Sequence, residues 1–138
     1  MNESPSVSRL SLPRILLIIV VAIVTYLLVT LFPMSFIGDA IKVGKFDYWY
    51  YNGIAPLVEG LVSTITGKFS SGNHPMGSWI AGGAVIIIFG IMDYLSSSSP
   101  TDRPLQSFAF EITGVLIGVA AVHIWNLISK RKLKNRRT

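Results

Sequence analysis

The chain has 138 residues, of which 51% are hydrophobic and only 14% charged, with a formal net charge of +5. A soluble domain usually carries about a quarter charged residues, so the shortage points to lipid. The absence of cysteine excludes disulfides, thiolate metal sites and cysteine nucleophiles. Because the basic residues bunch behind an apolar block in 129–138, the positive charge reads as an orienting membrane tail and not as a nucleic-acid surface.

Residues 1–13 are polar, and Arg14 then borders the first expected span, 15–37. Its apolar run from Ile15 to Phe32 is broken only by Thr25, Tyr26 and Thr30. Roughly twenty apolar residues, at about 1.5 Å each, cross about 30 Å of hydrocarbon. Gly38 and Ala40 offer a small-residue cleavage site and hence a signal-peptide reading. An apolar core of about eighteen residues exceeds the usual seven to fifteen, which favours a retained span. With no glycine before Gly38, this helix is expected to face lipid on much of its circumference.

Residues 46–67 form the next segment. Phe46, Tyr48, Trp49, Tyr50 and Tyr51 cluster as aromatic side chains do at headgroup level, with Trp49, Tyr50 and Tyr51 as candidate lipid contacts. Ile54, Leu57, Val58, Leu61, Val62 and Ile65 then make a helical stripe, with Glu59, Gly60, Ser63 and Thr64 opposite. Pro56 is tolerated in a first turn, and Gly67 with Lys68 gives a stop. A lipid-spanning helix should be apolar all round, so the stripe predicts an amphipathic helix lying in the membrane interface. Its polar face has almost no Lys or Arg to bind anionic lipid, so its small residues could pack on protein instead.

Two further spans are expected at 77–95 and 106–128, joined by the turn chemistry of 96–104, so that they form an antiparallel hairpin. Glu111, Gly114, Gly118, Ala121 and Trp125 recur at steps of three and four along one face. Asp93, Gly90, Ile86, Gly83 and Trp79 recur at the same steps in the reverse direction. The match predicts a packing seam of Trp79, Gly83, Gly90, Gly114, Gly118, Ala121 and Trp125, with small residues allowing close backbone approach. Asp93 and Glu111 could meet near the connecting loop, with Arg103 as their nearest cationic partner, and such a group could hold a proton or a cation. His123 is a weak candidate cofactor ligand, since a lone membrane histidine more often bonds a neighbouring helix. No metal site and no catalytic set is expected. Lys130, Arg131, Lys132, Lys134, Arg136 and Arg137 of the tail, 129–138, are expected to contact lipid headgroups on the cytoplasmic side.

The chain therefore reads as a single all-α integral membrane domain with three transmembrane helices and one interfacial helix, multi-pass in the plasma (cytoplasmic) membrane. With the N-terminus outside and the C-terminus inside, nine basic residues fall on the inner side and three on the outer. If 47–66 also crossed, both termini would lie inside and the tally would again be nine to three. Charge counting does not choose between the two; the polar face with Glu59 favours three spans. The expected function is a small, non-catalytic accessory or scaffolding subunit of a larger membrane assembly, partnered by lipid and other membrane subunits and not by nucleic acid. The alternative is a self-assembling pore, or a small ion or proton transporter using Asp93 and Glu111. The layout is similar to that of three-span phage holins, from which the long first loop and its interfacial helix depart.

Overall fold

The computed structural model describes residues 9–34, 36–37, 49–96 and 104–135, without the side chains of 33, 34, 93, 94, 96, 104, 134 and 135. All regular structure among them is helical. Helix α1 (Leu12–Val29) opens with Pro13 in its first turn, where a missing N–H costs nothing, and runs on into a π-helical turn at Thr30–Met34. A second π-turn, Tyr50–Ile54, leads into α2 (Ala55–Ser70), with the Ala55 N–H donating to the Tyr50 carbonyl five residues back. Helix α3 (Gly77–Val85) passes through a third π-turn, Ile86–Gly90, into α4 (Ile91–Ser96). Helix α5 (Pro104–Asn135) is 32 residues long, about 48 Å at the α-helical rise.

Helix α2 lies at the centre and packs against α1, α3 and α5. Residue contacts fix the directions. Thr30 meets Glu59, and Arg14 lies beside Gly72, so α1 and α2 are antiparallel. Gly67 faces Gly77 and Ala81, while Thr64 faces Gly82, so α2 and α3 are antiparallel as well. Gly82 faces Val115, and Gly90 faces Phe108, which makes α3 and α5 the antiparallel pair expected of the hairpin. Gly53 lies beside Phe110, Gly60 beside Val115 and Gly118 beside Thr64, so α2 and α5 run parallel. The result is an up-down-up-down bundle. An apolar cluster of Ile18, Ala22, Tyr26, Ala81 and Val85 joins α1 to α3, and Tyr26 stacks on Phe89 with ring centroids 4.0 Å apart.

The bundle departs from the sequence expectations at four places. The polar face of α2 is turned inward: Ala55, Pro56, Glu59, Gly60, Ser63, Thr64, Gly67 and Lys68 are buried, while Ile54 is exposed and Leu57, Val58, Leu61 and Ile65 are half-buried. This face is polar because it meets other helices, and an interfacial helix would show it to water. Second, α2 does not stop at Gly67. That glycine is needed inside the helix, where a Cβ would strike Gly77 and Ala81, and the stop is supplied by Gly72 and Asn73, both at positive φ. Third, α5 begins before 106 and continues through Lys130, Arg131, Lys132 and Lys134 to Asn135, so the tail is helical that far. Fourth, the start of α1 lies beside Gly72, and Trp125 of α5 lies beside Lys68. The first turn of α1 and the Trp125 stretch of α5 thus lie at the same end of the bundle, where the three-span expectation has Arg14 and the basic tail on opposite sides.

Two helical stretches, Leu12–Phe32 and Leu105–Leu133, are long and apolar enough to cross a membrane, and Gly77–Gly90 is a shorter apolar helix.

Candidate functional site

At the end of the bundle away from Arg14 and Trp125, polar side chains gather inside it. Glu59 on α2 is 5% exposed and Glu111 on α5 is 2% exposed. The Thr30 hydroxyl donates to Oε1 of Glu59 at 2.9 Å. The Ser107 hydroxyl donates to Oδ1 of Asn52 at 3.2 Å, tying α5 to the π-turn before α2. Tyr50 is buried in the same region, edge-on to Tyr51 with ring centroids 5.2 Å apart. All three π-turns border this polar region. One carries Thr30, one carries Tyr50 and Asn52, and one ends at Gly90, where a Cβ would sit 3.3 Å from Oε2 of Glu111. A π-turn leaves backbone carbonyls without their usual i+4 donor, and such turns recur at functional sites.

Glycine sets how closely the helices approach this region. A Cβ at Gly114 would run into the Leu57 carbonyl, and one at Gly60 would lie 2.6 Å from the Glu111 carbonyl oxygen. At Gly118 it would lie 2.8 Å from the Thr64 Cβ. Backbone therefore meets backbone, and van der Waals contact is won over the whole α2–α5 seam.

The expected seam between the second and third spans is thus replaced by another. Gly114 and Gly118 do line a helix contact, but their partner is α2. Gly83 has nothing within 4 Å of a built Cβ, and Trp79 and Trp125 are 52% and 65% exposed, so neither tryptophan pairs with the other. Ala121 is exposed too. Gly90 does face α5, against the Phe108 ring. The physical reason is the π-turn at Ile86–Gly90. One extra residue in a turn rotates everything beyond it by about 100°, so residues seven apart across it no longer share a face.

Of the expected acidic group, Glu111 is buried as a member of the polar cluster, while the Asp93 side chain and Arg103 lie outside the described residues. Glu59 was legible as a polar residue on a stripe, yet that signal pointed to water. Its burial depends on which helices surround α2. His123 is exposed on the outer side of α5, and His74 accepts a hydrogen bond at Nδ1 from the Met76 N–H at 3.2 Å. Among the described residues no group of three His, Cys, Asp or Glu side chains could hold a metal. Trp49 and Tyr51 point outward as headgroup contacts would, whereas Tyr50 is 3% exposed and packs inside, a correction to its expected role. Lys130, Arg131 and Lys132 are exposed on α5; the Lys134 side chain, Arg136 and Arg137 lie outside the described residues.

Comparison of the chain with protein-family models, with curated proteins and with solved structures finds no match.

Proposed function

We propose that the chain is a non-catalytic membrane protein that crosses the bilayer four times, with both termini on the cytoplasmic side of the plasma membrane, and serves as a small accessory or scaffolding subunit of a larger membrane assembly. The observation that carries the reading is the orientation of α2, whose Glu59, Ser63 and Thr64 are buried while its leucine, isoleucine and valine stripe is only half-buried. Lipid imposes that arrangement, because polar groups must find partners within the protein and hydrocarbon accepts the rest. Helix α1 supports it with Leu16, Leu17, Val20, Val24, Leu27 and Leu28 exposed along its outer side. Contiguous apolar surface of this kind is unusual for a water-soluble monomer. Tyr50–Ser70 is about 30 Å long at the helical rise, enough for the hydrocarbon core. Sidedness follows from charge: Arg9, Arg14, Lys68 and the basic residues of α5 gather at one end, which makes that end cytoplasmic.

A subunit role is preferred to a pore because the contacts within the bundle are glycine-tight and the outward faces are apolar, so neither the interior nor a ring of copies would offer water a path. Extraction in gentle detergent should recover the chain with larger partners. Recovery as a clean monomer under several mild conditions counts against the subunit role.

The buried Glu59 and Glu111 favour a second reading, a proton or cation site in a small transporter. Two carboxyl groups inside a lipid-facing bundle are costly unless function or compensation keeps them. On this reading Glu111→Gln or Glu59→Gln removes a pH- or cation-dependent flux in proteoliposomes; an unaltered flux sinks it.

A further inference from the structure

We infer that the cytoplasmic end of the bundle holds one anionic phospholipid in the cleft between α2 and α5; the site rests on the membrane reading above and gives it a specific ligand. Two cavities adjoin there. One, about 360 Å³, is lined by Lys68, Asn73, Asn126, Ser129 and Lys130. The other, about 250 Å³, is lined by Ile65, Phe69, Ala121 and Val122. Lys68 and Trp125 border both.

The polar cavity is built to receive an anion. Its lining includes two ammonium groups, two amides and a hydroxyl, all able to donate to phosphate oxygens, and no acidic residue. Lys68 is 5% exposed, with its Nζ 5.1 Å from the centre of the Trp125 ring and 5.8 Å from that of Phe69. Among the described residues it has no carboxylate partner. Ring faces attract an ammonium, but a lysine so far withdrawn from water calls for a full negative charge beside it.

The apolar cavity decides that the anion is a lipid. It opens from Lys68 along Ile65 and Ala121, one turn deeper into the bundle than Trp125 and Asn126. A free phosphate would fill the polar half and leave this groove empty. A phospholipid fills both, with its headgroup on Lys68 and Lys130 and an acyl chain against Ile65, Phe69, Ala121 and Val122. The depth agrees, since the polar half lies beside the 71–76 turn and the basic stretch of α5, at headgroup level. Basic pockets between membrane helices on the cytoplasmic side take lipid headgroups by this chemistry.

The test uses the full chain with Trp49→Phe and Trp79→Phe, so that Trp125 is the sole tryptophan reporter. It is placed in phosphatidylcholine nanodiscs containing a minor fraction of brominated phosphatidylglycerol or, in the parallel arm, of brominated phosphatidylcholine. Trp125 should be quenched more by the anionic lipid than by the same amount of the neutral one. Lys68→Gln and Lys130→Gln should each lower the preference about fivefold. Ala121→Phe, which fills the apolar groove, should also reduce it. Should Lys68→Gln fail to fold, Lys130→Gln and Ala121→Phe at exposed positions of α5 carry the test. Equal quenching by the two lipids overturns the site. So does a preference that survives Lys68→Gln and Lys130→Gln but disappears when Arg131 and Lys132 are both changed to Gln, the mark of a diffuse charge effect. Quenching by neither lipid overturns the membrane reading, and the site with it.

Discussion

The Thr30 hydroxyl donates a hydrogen bond to Oε1 of Glu59 at 2.9 Å, joining the π-turn that ends the first helix to the second turn of α2 across 29 positions of chain. The same hydroxyl lies 2.9 Å from the Tyr26 carbonyl oxygen one turn back, so it is shared between its own backbone and a buried carboxyl group. Removing it should loosen α1 from α2. Thr30→Val keeps the shape and deletes the donor, and should cost about 1 kcal/mol, the scale of side-chain hydrogen bonds between membrane helices. Reversible unfolding in mixed detergent micelles measures this; no loss would mean that the bond is not formed in the bilayer.

The glycines give a sharper contrast. Gly114→Ala puts a methyl group onto the Leu57 carbonyl, where backbone cannot give way, and should destabilise by about 2 kcal/mol or more. Gly83→Ala meets open space and should be neutral or stabilising by up to about 1 kcal/mol, through helix propensity alone. The same unfolding assay compares them, and equal effects would contradict the packing of α5 on α2.

Topology is open to labelling, because the chain has no cysteine of its own. Four crossings put Ile37 and Asn73 on opposite sides of the membrane; three crossings with an interfacial helix put them on the same side. Ile37→Cys and Asn73→Cys, treated with an impermeant maleimide in intact cells, should differ, with only Ile37→Cys labelled from outside. Matching behaviour would favour the three-span arrangement.

The stacked pair Tyr26 and Phe89, 4.0 Å between centroids and 10° between planes, links α1 to the π-turn of the third rod. A double-mutant cycle with Tyr26→Leu and Phe89→Leu should give a coupling of about 0.5–1.5 kcal/mol. Additive single effects would show that the contact carries no energy of its own.

What the linear pattern determined is the set of helices. Blocks of apolar residues, Pro56 in a first turn and the glycine-rich spacing of α5 are local features and located the rods, although α5 runs from Pro104 to Asn135, beyond the expected 106–128. The hairpin direction was legible as well, since a short connection leaves only an antiparallel return. The side of α2 that faces inward was not. A stripe of Ile54, Leu57, Leu61 and Ile65 opposite Glu59, Ser63 and Thr64 is the same pattern whether the polar side meets water or the interior of a bundle. The choice belongs to the partners that surround the helix. Likewise, Gly114 and Gly118 announced a close helix contact, but the phase of the facing helix depended on a π-turn at Ile86–Gly90 that has no periodic signature. Periodicity fixes which residues share a face of one helix. Only packing, where carbonyls such as that of Leu57 meet glycines such as Gly114, decides which face meets which.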